Sequence, residues 1–322
     1  MIKKAIIPIL IFVAVFLTLQ IYAGHILVRD GQFALFLLTP DYFAQVFREP
    51  FPISHIILSF VVQFFDIPFV GPAVIAVIAV ALYSICHAIF RRKLFSDVLP
   101  CGLLLAGCLF ITVLPGIKRE NCYCAVEQYA RQHRWNDILD IARPDVVRDD
   151  RSLMPYAMLA LNAKGQLVSN MDSYPLSGPQ DLDMDGIQTR EAYWFSSLLD
   201  EALGNYNEAV HHLFQASCFL HQGMSHISLY QMIRFNMENE NYTLASKYAG
   251  ILLRSPRNYF LAKGLLKAME GRCDRASTTD KAISPVITDS PIVNLGLLRK
   301  AGMQSAMANE RLAAYMRLSV MN

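Results

Sequence analysis

Hydrophobic and polar residues are distributed unevenly along the chain. No formal charge falls within residues 5–28, 69–90 or 98–117. Each run is long enough, at about 1.5 Å per helical residue, to cross a hydrocarbon core of about 30 Å. Each therefore predicts a transmembrane helix. Two shorter apolar pieces lie between the first two runs. "ISHIILSFVVQFF", residues 53–65, would span only about 20 Å as a helix and is broken by Asp66 and Pro68, so it reads as a re-entrant or interfacial helix. "FALFLLTPDYFAQVF", residues 33–47, reads as a second interfacial piece broken at Pro40. From Lys118 onward the pattern changes to amphipathic helical stripes. The predicted layout is a membrane domain over 1–117 and a soluble domain over 118–322.

The first run also has the outline of a signal peptide, with "MIKK" as the charged start and Ala23 at a possible cut. Ile21 and Tyr22 are bulky beside that cut and the apolar run continues through "HILV", which favours an uncleaved anchor. Lys3 and Lys4 precede the first span and "RRK", residues 91–93, separates the last two. With three spans the positive-inside rule places both groups in the cytoplasm. That predicts a multi-pass protein of a bacterial cytoplasmic membrane with its soluble domain in the periplasm.

Within the soluble half, four segments share one scheme, a turn followed by a ring or Leu that opens a helix: "HRWNDILDIA", "KGQLVSNM", "LGNYNEAVHHLFQA" and "NENYTLASKYAGIL". Their key positions are Trp135, Leu167, Tyr206 and Tyr242, spaced 32, 39 and 36 residues apart. Gly204 supplies a left-handed cap before Tyr206. Ala209, Leu213 and Ala216 then form one stripe, and Ala245 and Ala249 repeat it after Tyr242. Small residues at Ala209 and Ala245 let paired helices approach closely. "EAYWFSSLLDEAL" and "SHISLYQMIRFNM" provide the preceding helices. Such pairs cannot bury their faces alone and must stack.

The periods approximate that of tetratricopeptide repeats, and residues 119–270 resemble that class. The fold class expected is all-α, with N-terminal transmembrane helices followed by a tetratricopeptide-like α-solenoid. The wider layout resembles a family of bacterial membrane proteins known only as a domain of unknown function. The residues that carry this are "FVVQFFDIPFVGPAVIAVIAVALY", "RWNDIL", "LALNAKGQL" and "ALGNYNEAVHHLFQAS". The resemblance implies a few N-terminal spans before a helical-repeat domain and implies no activity. Members are often longer, so part of the usual C-terminal region is expected to be missing.

Charge and candidate chemistry add limits. The net charge of +2 and the lack of a basic stripe argue against nucleic acid. The stretch "PQDLDMDGIQTREA" places Asp181, Asp183, Asp185 and Gly186 at positions 1, 3, 5 and 6 of an EF-hand loop. The closing position 12 is Ala192, and Glu191 stands one residue early. Calcium on Asp181, Asp183, Asp185 and Glu191 is the sharper reading. An acidic turn whose carboxylates satisfy local amides and cap the next helix is the favoured one. Glu208 and His211 make half of a di-iron motif whose other half is missing. Cys122, Cys124, Cys218 and Cys273 are even in number, which allows two disulfides in an oxidising compartment or four idle thiols. No nucleophile elbow, P-loop or dinucleotide fingerprint occurs, so no catalytic residue is assigned. The expected function is a membrane-anchored adaptor or scaffold that binds a protein or peptide and needs no cofactor. The alternative is an accessory subunit or enzyme of cell-envelope glycan or lipid processing.

Overall fold

The long apolar runs fold as helices although they are rich in Ile and Val, and the first holds Pro8 in its interior. The computed structural model describes residues 2–89, 98–184, 187–220, 223–270, 290–300 and 305–320, and all regular structure among them is helical. The first seven helices are α1 (Ile2–Tyr22), α2 (Gly24–Phe33), α3 (Pro40–Val46), α4 (Pro52–Val62), α5 (Val70–Ile89), α6 (Leu99–Val113) and α7 (Pro115–Arg131). The chain divides into two compact units, residues 1–34 with 49–125, and residues 35–48 with 126–322.

In the first unit α1 packs along α5 and α6. Ile11, Val15 and Leu19, four residues apart, meet Ala76, Ala79 and Tyr83 of α5. The alanines leave room for the crossing. The other faces stay apolar and exposed, as at Leu10, Ile21, Leu82, Leu103 and Leu109. An aqueous monomer rarely leaves so much contiguous apolar surface uncovered. By length and composition one described helix, α5, can cross a membrane, or up to three spans if each bent pair is one span. That is compatible with membrane association.

The first and third predicted spans are not straight. The chain bends by 78° between α1 and α2, so the helix expected over 5–28 stops at Tyr22. It bends by 64° between α6 and α7, so the helix expected over 98–117 stops at Val113. Pro115 explains the second break, because the residue before a proline avoids helical geometry, and Leu114 is extended. At the first break Asn121 of α7 supplies the missing cap: its Oδ1 accepts the N–H of His25 at 2.9 Å. Arg29 of α2 donates to Glu120 and lies 5.8 Å from the Tyr123 ring centroid. The polar second halves of the two bent pairs are thus docked on each other.

Within the stretch read as an interfacial piece, 33–47, Phe33 ends α2 in the first unit and residues 35–47 group with the second. Ala34 and Thr39 have extended backbone and no helix forms between them, and Pro40 starts α3 rather than breaking a helix, with Thr39 Oγ1 accepting the Tyr42 N–H at 3.3 Å. α4 is an apolar helix of 11 residues with none of them buried.

The second unit continues with α8 (Trp135–Ile141), α9 (Pro144–Asp149), α10 (Met154–Ala163), α11 (Leu167–Asn170), α12 (Arg190–Ala202), α13 (Tyr206–Cys218), α14 (His226–Glu238), α15 (Tyr242–Leu252), α16 (Tyr259–Met269), α17 (Pro291–Lys300) and α18 (Ser305–Val320). Four hairpins, α7–α8, α10–α11, α12–α13 and α14–α15, share one turn. His133, Gly165, Gly204 and Glu240 all adopt positive φ, at 54°, 65°, 78° and 53°. The next residue closes each helix with the same bond: Arg134 N–H to Tyr129 O at 2.9 Å, Gln166 to Leu161 at 2.9 Å, Asn205 to Asp200 at 2.8 Å and Asn241 to Asn236 at 2.7 Å. This is a Schellman motif repeated four times.

Ala209, Leu213, Ala216, Ala245, Ala249 and Leu167 are fully buried, whereas Trp135, Tyr206 and Tyr242 are half-buried. The second hairpin departs from the scheme. α11 has only four residues, and α18 packs on α10 and α11. Asn162 Nδ2 donates to Met307 O at 3.1 Å and Arg317 donates to Val168 O at 3.1 Å, which fastens the C-terminal helix to that hairpin.

Candidate functional site

A buried carboxylate must be paired or it loses its charge. Glu201, in the last turn of α12, has a side chain only 5% exposed. It sits on the stripe of Trp194 and Leu198, four and three residues apart, where an apolar residue is expected. An arginine and a histidine from other hairpins meet it. Arg234 of α14 forms an ion pair with its Oε1, and His133 Nε2 lies 3.4 Å from the same atom. His133 stands in the α7–α8 turn with φ of 54°.

Around this group lies a pocket of about 430 Å³ lined by His133, Trp135, Glu201, Tyr206, Arg234 and Glu238, with Ala163, Ala202 and Met307 as apolar wall. The Trp135 ring stands edge-on to His133 at 5.3 Å between centroids, and Tyr206 tilts against Phe235 at 6.0 Å. Desolvation first, and the Arg234 charge second, hold the His133 imidazole below its ordinary pKa, which keeps it neutral near pH 7. Burial lowers the Arg234 guanidinium from a value so high that it stays charged, while Glu238 opposes the shift. Burial and Glu238 push the Tyr206 phenol up. With Glu201 and Glu238 against Arg234, the pocket carries one net negative charge.

Of the residues singled out from sequence, Trp135 and Tyr206 come together in this pocket. His133, Glu201, Arg234 and Glu238 went unnoticed. A charged residue on the core stripe of α12 was the available signal for Glu201. His133 had none, because a positive φ at histidine leaves no mark in the sequence.

Each described carboxylate of the acidic loop faces an arginine. Asp181 bonds Arg151 at 2.7 Å, and its other oxygen accepts the Ser177 and Gly178 N–H groups. Asp183 faces the charge of Arg311. Glu191 is held by Arg190 Nη2 at 2.6 Å. Asp185 and Gly186 lie outside the described residues. Among the described residues no three His, Cys, Asp or Glu side chains are grouped to hold a metal. The cap of α12 is Thr189, whose Oγ1 accepts the Ala192 N–H at 3.3 Å. Arg311 of α18 is 1% exposed and donates to Leu182 O. Burial pushes the Asp200 carboxyl up, opposed by His212 at 2.7 Å and by Arg311. Glu208 and His211 form an exposed pair at 3.3 Å. Cys122, Cys124 and Cys218 are in the thiol form rather than disulfide-bonded, with Arg29 donating to Cys124 Sγ at 3.3 Å, and Cys273 lies outside the described residues.

One family model matches the chain over residues 1–118 and 115–284, a family of unknown function, DUF6057. The chain belongs to this family. No curated protein and no solved structure matches it. Membership of DUF6057 brings no activity to the pocket, so its chemistry rests on its own residues.

Proposed function

We propose that this DUF6057 protein is a membrane-anchored helical-repeat adaptor whose stacked hairpins bind a segment of another protein through the Glu201 pocket. The observation that carries this reading is that two rings opening equivalent helices, Trp135 and Tyr206, stand at one polar pocket with a net negative charge. Rings flanking a carboxylate suit a Lys or Arg side chain, since a cation over an aromatic face gains about 0.5–2 kcal/mol beyond its ion pair. Glu238, exposed at the rim, offers the free charge, because Glu201 is already shared by Arg234 and His133. The hairpins are taken as a tetratricopeptide-like stack on the strength of their common turn. The soluble unit is placed in the periplasm of a bacterium, on the strength of the Lys and Arg residues beside the apolar helices.

The test is a photo-crosslinking residue placed at Glu238 in cells, with His211 on α13 as control. A discrete product from position 238 that is lost on Arg234→Ala, and none from 211, is expected. Equal labelling from both positions would refute the pocket as the docking point. For topology, a reporter active only outside the membrane should be silent when fused after Lys93 and active after Asn322. The reverse pattern removes the three-span arrangement.

A further inference from the structure

The stretch Leu35–Leu38 runs extended over the second unit and meets α14, α15 and α16 along one trough. Leu35 is 6% exposed and packs with Leu229 and Ile233 of α14, Ala245, Ala249 and Leu252 of α15, and Ala262 and Met269 of α16. Leu37, two residues on and therefore on the same face of an extended chain, lies against the same cluster. Phe36 points the other way and packs on the Tyr42 and Phe43 rings of α3, at 5.4 and 6.1 Å. The backbone joins in: Leu38 N–H donates to Arg254 O at 2.9 Å. The alanines at 245, 249 and 262 keep the trough open enough for a leucine to enter. Both ends of the segment return to the other unit, so only non-covalent contacts seat it.

We propose that the α14–α16 trough is a binding site for an extended apolar segment with large aliphatic residues at alternate positions, and that residues 35–48 are its ligand in cis. Bound this way, the segment fills the trough at the high effective concentration of a tethered ligand. A second peptide of the same pattern competes for the place. This mode combines alternate side-chain pockets with main-chain hydrogen bonding, as in other extended-peptide sites. It stands independently of the Glu201 pocket.

The experiment uses the full chain in detergent and a fluorescent synthetic peptide of residues 33–48. The Leu35→Asp, Leu37→Asp double variant expels its own segment, because charges are costly in an apolar trough. It should bind the peptide saturably and at least about ten-fold more tightly than the wild-type chain does, since the tethered segment no longer competes. A peptide carrying the same two aspartates should not bind. Retained amide protection in α14–α16 without peptide binding overturns the proposal, as does equal binding by the two chains. If the double variant loses protection throughout α14–α16, the wild-type chain decides. Excess wild-type peptide should then speed hydrogen exchange at Leu38, whose bond to Arg254 is broken on displacement, and the aspartate peptide should not. Unchanged exchange at Leu38 overturns the proposal.

Discussion

The four matching turns make opposite forecasts for two substitutions. Gly165 has φ of 65°, and a Cβ added to it meets nothing within 4 Å. Gly165→Ala is therefore a test of backbone alone. A left-handed L residue costs about 1–2 kcal/mol, offset by about 0.4–1 kcal/mol from the lower freedom of alanine in the unfolded chain. The net expectation is about 1 kcal/mol of destabilisation. Glu240 holds φ of 53° at the equivalent place and is exposed. There Glu240→Gly releases the left-handed strain and adds unfolded-state freedom, for a net gain of about 0.5–1 kcal/mol. Both tryptophans, Trp135 and Trp194, lie in the second unit, so tryptophan fluorescence of the full chain on heating reports on that unit. At about 2–4 °C per kcal/mol for domains of 150–250 residues, the two variants should differ by several degrees, with opposite signs relative to the parent. Scans at one fixed rate keep the comparison valid if unfolding is irreversible. Equal losses in both variants would mean that Glu240 is not in the place Gly165 occupies, and the shared-turn argument would fail.

Ala209→Leu and Ala245→Leu, both at fully buried positions, should each cost about 1–3 kcal/mol by overpacking, read in the same melt, and an unchanged melting point would remove the close helix contact. Calcium and chelator should give the same melting temperature, because Arg151, Arg311 and Arg190 already face the three described loop carboxylates, and a calcium shift abolished by Asp183→Asn would reinstate the ion site. Burial raises the Asp200 carboxyl above its unfolded value, so the folded chain holds that proton more tightly. Its contribution to stability is fully present below the usual carboxylate range and is lost as pH rises through the folded pKa. Asp200→Asn should flatten that acid-side slope, and an unchanged slope would show that another group sets it.

The helical class and the positions of the hairpins were legible because turn chemistry is local. Trp135, Leu167, Tyr206 and Tyr242 each open the helix expected of them. Gly204 declared its left-handed cap, whereas His133 and Glu240 adopt the same conformation with no glycine to announce it. The bends in the first unit were only half legible. Pro115 marks the second. At the first, Ala23 carries no breaking residue, and α2 starts afresh because Asn121, almost a hundred residues later, caps it. The stretch 35–38 is ambiguous in sequence for a related reason. Periodicity shows that Leu35 and Leu37 must be covered, yet it cannot distinguish a lipid cover from a trough made by helices two hundred residues downstream.

The site was the least legible part, and the reason lies in how its charge is neutralised. In α12 the buried stripe runs Trp194, Leu198, Glu201, and a carboxylate there breaks the apolar pattern that the rest of the helix obeys. Such a residue is tolerable only if cations arrive from elsewhere, because an unpaired buried carboxylate costs several kcal/mol. The one cation in α12, Arg190, lies about three turns away at the start of the helix and pairs with Glu191. The guanidinium comes from α14, 33 residues along the chain, and a neutral imidazole joins it from the first turn, 68 residues away. The ion pair therefore forms only when α12 and α14 come together, which ties the pocket to the contact between their two hairpins. On this reasoning Glu201→Gln should leave Arg234 half-buried without its carboxylate and loosen the register between hairpins. Glu201→Met with Arg234→Met, which removes both charges together, should recover most of that loss. If the double substitution is no more stable than Glu201→Gln, the carboxylate is not what Arg234 is held for, and the pocket's geometry must be set by packing alone.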